Sequence, residues 1–417
     1  MPILRQVSIP LLVLAAASAP VYWALPEGLT PARSLGIIAG WSGCGLLLAS
    51  LLLMLREPRL AECLGGLERM YRWHHWAGMA AYLLLLAHPL LLAADALPER
   101  AQQAWQTLSP VDQGWPVWLG WLSLLLLMGG LATTFDRRIA YRTWRWLHMG
   151  LGLAVLIGLW HLLMLGIAQP TWLFLLLTTI FLGWRSLRAD FGIGAHPYVV
   201  RSARAVADNL VEISLQPLAE PFSARPGQFV LVAFFNGPGF HGCGEYHPFT
   251  ISAAGPDGDL RLGVKALGDC TRRIQSITPG VMARVQGGFG CFLAEQSTAP
   301  QLWIAGGIGI TPFLARLRAA PLSLPTQLFY FYRSDADAAF LQELQRLAAK
   351  DPQFSLHPVV TGSALPDLDI IAPPGSDLAR HECYLCGPPG LVTSLRKWLK
   401  ARGITPRHIH FENFEFR

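Results

Sequence analysis

Four histidines lie inside two strongly apolar stretches of the chain, where an imidazole is costly unless it has a partner. The first stretch, residues 71–95, contains His74 and His88, and the second, further along, contains His148 and His161. Neutral imidazole is a strong ligand for haem iron. A haem held between two helices takes one histidine from each, so two haems stacked across a bilayer need two histidines per helix.

The spacing of the histidines selects the pairs. His74 and His88 are 14 residues apart, which places them only about 40° apart around a helix and roughly 21 Å apart along it. His75 lies roughly 140° from His88 on an ideal helix and is expected at the aqueous boundary. His148 and His161 are 13 residues apart, so their helix has to bend or tilt to present both to one partner. The alternative is that these imidazoles hydrogen-bond between helices without a metal.

The composition of the chain indicates that these histidines lie in membrane-spanning segments. The 417-residue chain is 52% hydrophobic and only 14% charged, and nearly all the apolar surplus falls before residue 185. Six apolar runs predict transmembrane helices, at approximately 7–25, 35–55, 73–95, 115–134, 144–168 and 171–186. The first 25 residues also resemble a signal peptide, although an apolar start is equally expected of a polytopic protein.

Arginine is concentrated in alternate loops. The loops after the second, fourth and sixth helices are arginine-rich: Arg56, Arg59, Arg69, Arg72, Arg137, Arg138, Arg142, Arg185 and Arg188. By the positive-inside rule, both termini are cytoplasmic. Helices three and five then start on the same side, which pairs His74 with His148 and His88 with His161. The same asymmetry accounts for part of the net charge of +6, so nucleic acid is not an expected partner.

After Asp190 the sequence changes to short segments of alternating apolar and polar residues, separated by Gly and Pro turns. These predict a small antiparallel barrel over 196–298. It contains HPFTIS, from His247 to Ser252, and GVKALGDCTR, from Gly263 to Arg272. The second segment offers a turn and a helix start, where backbone N–H groups and Arg272 could hold a pyrophosphate.

The segment QLWIAGGIGITPFLARLRAA, residues 301–320, predicts a buried strand, a Gly-rich turn and a helix. Thr311 is the expected N-cap and Pro312 the first helical residue. The glycines of the turn let a nucleotide phosphate approach the backbone at the helix N-terminus. Arg333 ends the next strand, where it either binds an adenosine 2′-phosphate or is simply solvated.

A third strand, ECYLCGPPG, ends at Cys386–Gly387–Pro388, at the edge where open α/β sheets bind ligands. Cys383 and Cys386 form a C-x-x-C that could be a redox dithiol, although the expected cytoplasmic setting favours unpaired thiols. The seven cysteines show no disulfide-like framework. The chain ends FENFEFR, which either covers a flavin ring with an aromatic or packs as a last edge strand.

Together these segments resemble the ferric reductase and NADPH oxidase superfamily over essentially the whole chain. The expected fold is a membrane α-helical bundle of six transmembrane helices (1–190), an antiparallel β-barrel FAD domain (196–298) and an α/β NADPH-binding domain (299–417). The similarity is greatest to the compact bacterial oxidases, which implies a multi-pass protein of a bacterial inner membrane.

The resemblance also implies cofactors and site residues. Two b-type haems are expected on the four histidines. FAD is expected at His247, Pro248, Phe249, Thr250, Ser252, Lys265, Gly268, Thr271 and Arg272. NADPH is expected at Gly306, Gly307, Gly309, Thr311, Pro312, Arg333, Gly387 and Pro388. Cys386 should lie beside the nicotinamide, and the ending Glu412–Asn413–Phe414 matches the family pattern, with Phe414 on the flavin and Phe416 as the alternative.

The activity this implies is electron transfer from NADPH through FAD and the haems to an acceptor across the membrane. Oxygen, giving superoxide, is the first acceptor expected, before a ferric chelate or a periplasmic partner protein. One departure from the pattern concerns oxygen: eukaryotic members carry a histidine four residues beyond the outer ligand, where this chain has Leu92. A rival from another class is a transporter or sensor with a nucleotide-regulated domain, but no charged residue lies mid-span to serve an ion pathway.

Overall fold

The structure is a computed structural model that describes residues 2–97, 100–136, 138–293, 298–363, 366–372, 378 and 380–412. It divides into two compact units, Met1–Ile193 and Gly194–Arg417. The units correspond to the apolar and the alternating halves of the sequence, and each is described separately.

The first unit is entirely helical in its regular structure. Its helices are α1 (Pro2–Ala24), α2 (Pro31–Leu53), α3 (Pro58–Cys63), α4 (Leu67–Ala94), α5 (Ala101–Leu108), α6 (Trp115–Phe135), α7 (Tyr141–Met149), α8 (Leu151–Met164) and α9 (Thr171–Trp184). Five stretches within them are long and apolar enough to cross a membrane: Val7–Ala24, Pro31–Leu53, Leu67–Ala94, Trp115–Phe135 and Arg142–Met164. The predicted sixth span corresponds to α9, which has only 14 residues and continues as a π-helical segment, Arg185–Asp190.

The fifth predicted helix, over 144–168, is confirmed as one apolar span, Arg142–Met164. Within it the chain forms α7 and α8 with an irregularity at Gly150. The N–H of Leu153 donates to the carbonyl of Gly150 at 3.0 Å, closer than the i+4 bond from Ala154 at 3.4 Å, so the helix is locally tightened there. His148 and His161 lie on either side of this irregularity.

Close packing of α2 on α4 depends on glycines in α2. A Cβ added at Gly43 would lie 2.7 Å from Leu85, and one added at Gly36 would lie 2.9 Å from Leu92. Small residues let membrane helices approach closely enough for backbone groups of one to reach side chains of the other. The outer surface is apolar, as lipid contact requires: Leu83, Leu125 and Leu153 expose more than half of their surface.

The second unit begins with a closed antiparallel barrel, as the sequence predicts. Its elements are β1 (His196–Ala207), β2 (Leu210–Pro217), β3 (Phe229–Phe234), β4 (His247–Ala254), β5 (Leu260–Lys265), α10 (Asp269–Ile274) and β6 (Met282–Phe289). The strands close in the order β1-β2-β5-β4-β3-β6. Inward-facing aliphatic residues such as Ile213, Val230 and Leu262 are fully buried in its core.

A five-stranded parallel sheet follows. Its elements are β7 (Gln301–Gly306), α11 (Thr311–Ala319), β8 (Thr326–Tyr332), α12 (Leu341–Ala348), β9 (Phe354–Val360), β10 (Glu382–Cys386), α13 (Pro389–Ala401) and β11 (Ile409–Glu412). The strand order is β11-β10-β7-β8-β9. The chain adds β8 and β9 on one side of β7 and then crosses to add β10 and β11 on the other side. The carboxyl ends of β7 and β10 therefore flank the crevice where such sheets bind ligands.

The predicted start of α11 was wrong by one residue, because Thr311 is not its N-cap. Residues Gly307–Ile310 form a 3-10 turn, and Thr311 is already the first residue of α11. Its hydroxyl donates to the carbonyl of Ile308 at 2.9 Å rather than accepting from the helix N-terminus. The Gly-rich turn itself therefore supplies the geometry that opens the helix.

One buried arginine joins the barrel to the sheet. Arg318 of α11 donates to Glu212 of β2 at 2.6 Å and, through two nitrogens, to both oxygens of Glu343 of α12 at 2.8 Å. It also donates to the carbonyl of Ser252 at 3.2 Å. Hydrogen bonds from Arg318 lower the pKa of Glu343, against the opposing effect of burial. Every charge in this network has a partner, which buried charges need to be tolerated.

We expect Arg318→Ala to destabilise the second unit by about 3 kcal/mol, because buried Glu212 would keep only the exposed Arg204 at 3.4 Å as a cationic partner and half-buried Glu343 would lose both hydrogen bonds from Arg318. Glu343 has a lowered pKa when folded, so its contribution is present above the ordinary carboxyl value of 4.5 and is lost as the pH falls through the lowered value. The effect of the substitution should therefore shrink in acid. Thermal unfolding of the full-length protein in detergent, followed by intrinsic fluorescence, measures it.

Arg316→Ala is the matched control on the same helix, since Arg316 only donates to the backbone carbonyls of Ala320 and Pro321 at the helix end. Its effect should stay below about 1 kcal/mol. Equal destabilisation by the two variants would contradict the proposed importance of the network.

Candidate functional site

Two of the four predicted histidine ligands are held by backbone carbonyls of neighbouring helices. The Nδ1 of His88 on α4 lies 2.8 Å from the carbonyl oxygen of Gly36 on α2. The Nδ1 of His161 on α8 lies 2.7 Å from the carbonyl oxygen of Pro116 on α6. A carbonyl can only accept, so Nδ1 carries the proton and Nε2 keeps its lone pair. A histidine that binds a metal usually has this arrangement.

The other two histidines face each other. The Nδ1 of His74 lies 2.7 Å from the hydroxyl oxygen of Ser50 and 3.0 Å from its carbonyl oxygen. The Nδ1 of His148 lies 3.4 Å from the hydroxyl oxygen of Thr134, and its ring stacks on Trp144. The ring centroids of His74 and His148 are 6.0 Å apart. The predicted partners of this pair are thus adjacent.

The anchoring groups follow a regular scheme. Gly36 and Pro116 lie near the starts of α2 and α6, whereas Ser50 and Thr134 lie near their ends. Each of these two helices therefore anchors one histidine near each of its ends. The irregularity at Gly150 separates the two histidines that fitted ideal helical spacing poorly. Sequence reasoning missed the anchors, since a backbone carbonyl carries no residue-type signal.

The barrel is open between β4 and β5 at one end. The register pairs of these antiparallel neighbours run from Ala254–Leu260 only as far as Ile251–Leu262. Beyond that point β4 pairs with β3 on its other side, and the end of β5 pairs with β2. A split therefore opens between the start of β4, at His247, and the end of β5, at Lys265. We call this the β4–β5 split.

The predicted FAD residues of β4 lie along one edge of this split. Phe249 and Thr250 are buried, while His247 and Pro248 are partly exposed at its mouth. Ser252 lies deeper, where its hydroxyl donates to Glu212 at 2.9 Å. The structure thus brings the first four residues together at the split and places Ser252 in the Arg318 network.

The turn on the opposite edge is closed by a threonine. The hydroxyl oxygen of Thr271 accepts from the N–H groups of Leu267 and Gly268, both at 2.9 Å. The predicted helix start is confirmed, with Gly268 preceding α10. Arg272 is exposed and lies 3.4 Å from Asp269, so its guanidinium remains accessible from solvent.

The Gly-rich turn after β7 packs against the turn after β10 without intervening side chains. A Cβ at Gly309 would overlap the carbonyl oxygen of Cys386, and the Cα of Gly306 lies 3.1 Å from the position of a Cβ at Gly387. Only glycine permits this approach of two backbones at the carboxyl edge of the sheet. The same turn reaches the barrel: a Cβ at Gly307 would lie 3.9 Å from the Nζ of Lys265.

The two predicted catalytic groups that the structure describes lie side by side. Cys386 and Glu412 are register partners at the ends of β10 and β11, and both are buried. A Cβ at Gly290 would lie 3.1 Å from Oε1 of Glu412, so this carboxylate faces the end of the barrel. Phe414 and Phe416, the candidates for covering the flavin, lie outside the described residues.

The remaining nucleotide candidates surround the same edge. Arg333 directly follows β8 and is exposed, and Pro388 is exposed beyond Gly387. Thr311 and Pro312 are buried at the start of α11. Cys383 and Cys386 pack in separate cores on opposite faces of the sheet, so the two sulfurs of this C-x-x-C do not face each other.

Comparison with known families matches each part of this architecture in order. A family model described as the ferric reductase like transmembrane component matches residues 39–159. A model of an FAD-binding domain matches residues 195–306, and a model of an oxidoreductase NAD-binding domain matches residues 303–397.

Individual relatives match about half of the chain. The ferredoxin–NAD(P)(+) reductase component of the naphthalene 1,2-dioxygenase/salicylate 5-hydroxylase systems of Ralstonia sp is 30% identical over 211 residues, which is 47% of this chain and 62% of that protein. The corresponding reductase component of the naphthalene 1,2-dioxygenase system of Pseudomonas putida is 26% identical over 211 residues, again 47% of this chain and 62% of that protein. The chain therefore spans less than two thirds of the length of these relatives.

A solved structure is also similar to about half of the chain. The FAD/NAD binding domain of nitric oxide dioxygenase from Vibrio cholerae has 20% identity and a TM-score of 0.45, covering 52% of this chain and 98% of that one.

The barrel, the parallel sheet and the family matches define an FAD-binding domain followed by an oxidoreductase NAD-binding domain. A ferric reductase like transmembrane component precedes them, so the chain has a ferric reductase-type domain architecture.

We expect Gly309→Ala to raise the KM for NAD(P)H at least about tenfold, because the new methyl group forces apart the turns after β7 and β10. The FAD content should not change, since the β4–β5 split is formed by other strands. Gly390→Ala is the control, because a Cβ there meets nothing within 4 Å. Initial rates with ferricyanide as acceptor give KM, and absorbance gives FAD. An unchanged KM in Gly309→Ala would contradict this assignment of the turn.

Proposed function

We propose that the protein is a transmembrane NADPH oxidase that moves electrons from cytoplasmic NADPH through FAD and two b-type haems to oxygen on the far side, producing superoxide. The observation that carries the proposal is the anchoring of four membrane-embedded histidines by Nδ1. Each anchor leaves Nε2 as the group that can bind a metal.

The geometry of one pair fits a shared metal. The ring centroids of His74 and His148 are 6.0 Å apart, so these two side chains are close enough to hold one haem between them. His88 and His161 would hold the second haem. Haem iron supplies one-electron chemistry when bound, tuned by its axial ligands and their hydrogen bonds.

In the second unit, the chain's own residues would hold and align the two nucleotides. His247, Pro248, Phe249 and Thr250 would line the FAD site in the β4–β5 split, with the pyrophosphate at the turn of Gly268, Thr271 and Arg272. The N-terminus of α11 favours the phosphates of NADPH. Arg333, exposed at the end of β8, would bind the 2′-phosphate that distinguishes NADPH from NADH.

Close to the nicotinamide, the side-by-side ends of β10 and β11 would place Cys386 and Glu412, with Phe414 over the flavin. The buried carboxylate of Glu412 faces the barrel end at Gly290, on the side where the flavin ring would lie. These groups would orient the ring and exclude water, while hydride chemistry belongs to the cofactors.

The distribution of arginine supports a bacterial inner membrane with both termini in the cytoplasm. This orientation puts the nucleotide-binding unit where NADPH is found. It also places His74 and His148 nearer the cytoplasm than His88 and His161.

We expect His88→Leu and His161→Leu each to lose about half of the haem per chain, because leucine cannot bind iron. His75→Leu is the matched control: His75 is exposed beside Trp76, next to a proposed ligand but pointing elsewhere. Pyridine haemochrome content relative to FAD measures the loss. Haem content that stays at the wild-type value in both ligand variants would refute the axial assignment.

A separate experiment tests the acceptor. Under anaerobic conditions NADPH should reduce the haem absorbance, and added oxygen should reoxidise it with formation of superoxide. Cytochrome c reduction that superoxide dismutase fails to suppress would contradict the oxidase proposal.

Ferric-chelate reduction is the second candidate function, and Leu92 favours it. This residue stands where eukaryotic oxidases have a histidine, and it packs on Gly36 beside the anchor of His88. A non-polar group there gives oxygen no hydrogen-bond donor, whereas reduction of a chelate or of a periplasmic partner protein at the surface requires none. Faster haem reoxidation by ferric citrate than by oxygen would support this candidate.

A further inference from the structure

Two cysteines that are far apart in sequence meet at the mouth of the β4–β5 split. Cys243 lies in the loop before β4, and Cys270 is the second residue of α10. The sequence suggested no disulfide framework, yet the two sulfur atoms are in bonding contact and the Cα atoms are 5.9 Å apart. This Cα separation is in the middle of the range that disulfides adopt.

The pair joins the two edges of the split. Cys243 precedes His247 by four residues, and Cys270 directly precedes Thr271, whose hydroxyl closes the turn on the other edge. Strand pairing between β4 and β5 ends at Ile251–Leu262. At the open end, the bond between Cys243 and Cys270 is therefore a covalent tie where the barrel has no ladder between these strands.

Acid–base groups surround the two sulfurs unequally. The Nε2 of His247 lies 3.9 Å from the sulfur of Cys243, and a carboxylate oxygen of Glu245 lies 3.9 Å from the sulfur of Cys270. His247 and Glu245 are themselves 4.0 Å apart. An imidazole beside a thiol can accept its proton and favours the nucleophilic thiolate, whereas a carboxylate opposes it. Cys243 is thus suited to attack an oxidant as a thiolate, and Cys270 is suited to form the disulfide with it in the second step.

We propose that Cys243 and Cys270 form a reversible thiol–disulfide pair that controls how firmly the split retains FAD. The proposal rests on the proposed position of FAD in the split. Disulfides on the cytoplasmic side of a membrane are usually catalytic or redox-sensing rather than structural. The bond would oppose separation of the two edges, which FAD needs in order to leave.

The oxidant is a hydroperoxide. The Cys243 thiolate attacks the O–O bond, forming a sulfenic acid and releasing an alcohol, or water from hydrogen peroxide. The Cys270 thiol then attacks the sulfenic sulfur, forming the S–S bond and releasing water. Two thiols lose two electrons in total, and one peroxide gains them. A cytosolic dithiol reverses the change by thiol–disulfide exchange.

The test uses full-length protein in detergent, treated either with hydrogen peroxide or with dithiothreitol, then alkylated and mapped by mass spectrometry. Peroxide should produce a peptide linking Cys243 to Cys270, while the exposed Cys63 remains alkylated in both samples. Release of FAD into flavin-free buffer, followed by fluorescence, should be at least about fivefold slower after peroxide, because the tied loops are preorganised around the ligand.

Cys243→Ser and Cys270→Ser should release FAD at the rate of the reduced wild type, whatever the treatment. Cys63→Ser, the matched control, should respond as the wild type does. Equal release rates in the two treatments of the wild type would overturn the proposal. So would one bound zinc ion per chain that Cys243→Ser loses, since the sulfurs and the Nε2 of His247 lie close enough to hold a metal.

Thiol mapping does not depend on flavin, which separates this proposal from the proposed function. Protein that contains no FAD but forms the linked peptide would refute the FAD assignment and leave the disulfide standing. Protein that contains FAD but forms no linked peptide would refute the thiol pair alone.

Discussion

An imidazole N–H cannot be left unsatisfied inside a membrane, and this constraint organises the first unit. In hydrocarbon no water is available, so each Nδ1–H needs an acceptor on a neighbouring helix. For His88 and His161 the acceptor is a backbone carbonyl of α2 or α6. A carbonyl at a fixed height on one helix sets the height of the histidine on the other. The hydrogen bonds therefore fix the register of α4 against α2 and of α8 against α6.

In the second unit the comparable constraint is distance between backbones. The turns that follow β7 and β10 touch through Gly309 and Cys386, and the first of these turns also reaches Lys265 of the barrel. A side chain at the contact would separate the two halves of the crevice. Arg318 adds a polar link between barrel and sheet, through Glu212 and Glu343. These two contacts between the FAD-binding barrel and the NAD-binding sheet differ in chemistry but serve the same alignment.

Much of this organisation was predictable from the sequence, because its causes are local. Bilayer thickness sets the length of an apolar run, and strand alternation with Gly turns identified the barrel and the sheet. The start of α11 differed by one residue, since the 3-10 turn Gly307–Ile310 leads directly into the helix and leaves Thr311 inside it. The irregularity at Gly150 was foreseen only as a possible bend. The contacts of Cys243 with Cys270 and of Arg318 with Glu212 join residues distant in sequence, and no periodicity encodes them.

The two ends of α2 and α6 anchor their histidines differently. Near the helix starts the acceptors are the carbonyls of Gly36 and Pro116, whereas near the ends the hydroxyls of Ser50 and Thr134 also take part, beside the carbonyl of Ser50 in the case of His74. A carbonyl is encoded by every residue, so point mutation cannot delete it. A hydroxyl can be gained or lost by a single codon change. Natural variation can therefore change the hydrogen bonding of His74 and His148 more readily than that of His88 and His161, so that selection can act on the two pairs separately.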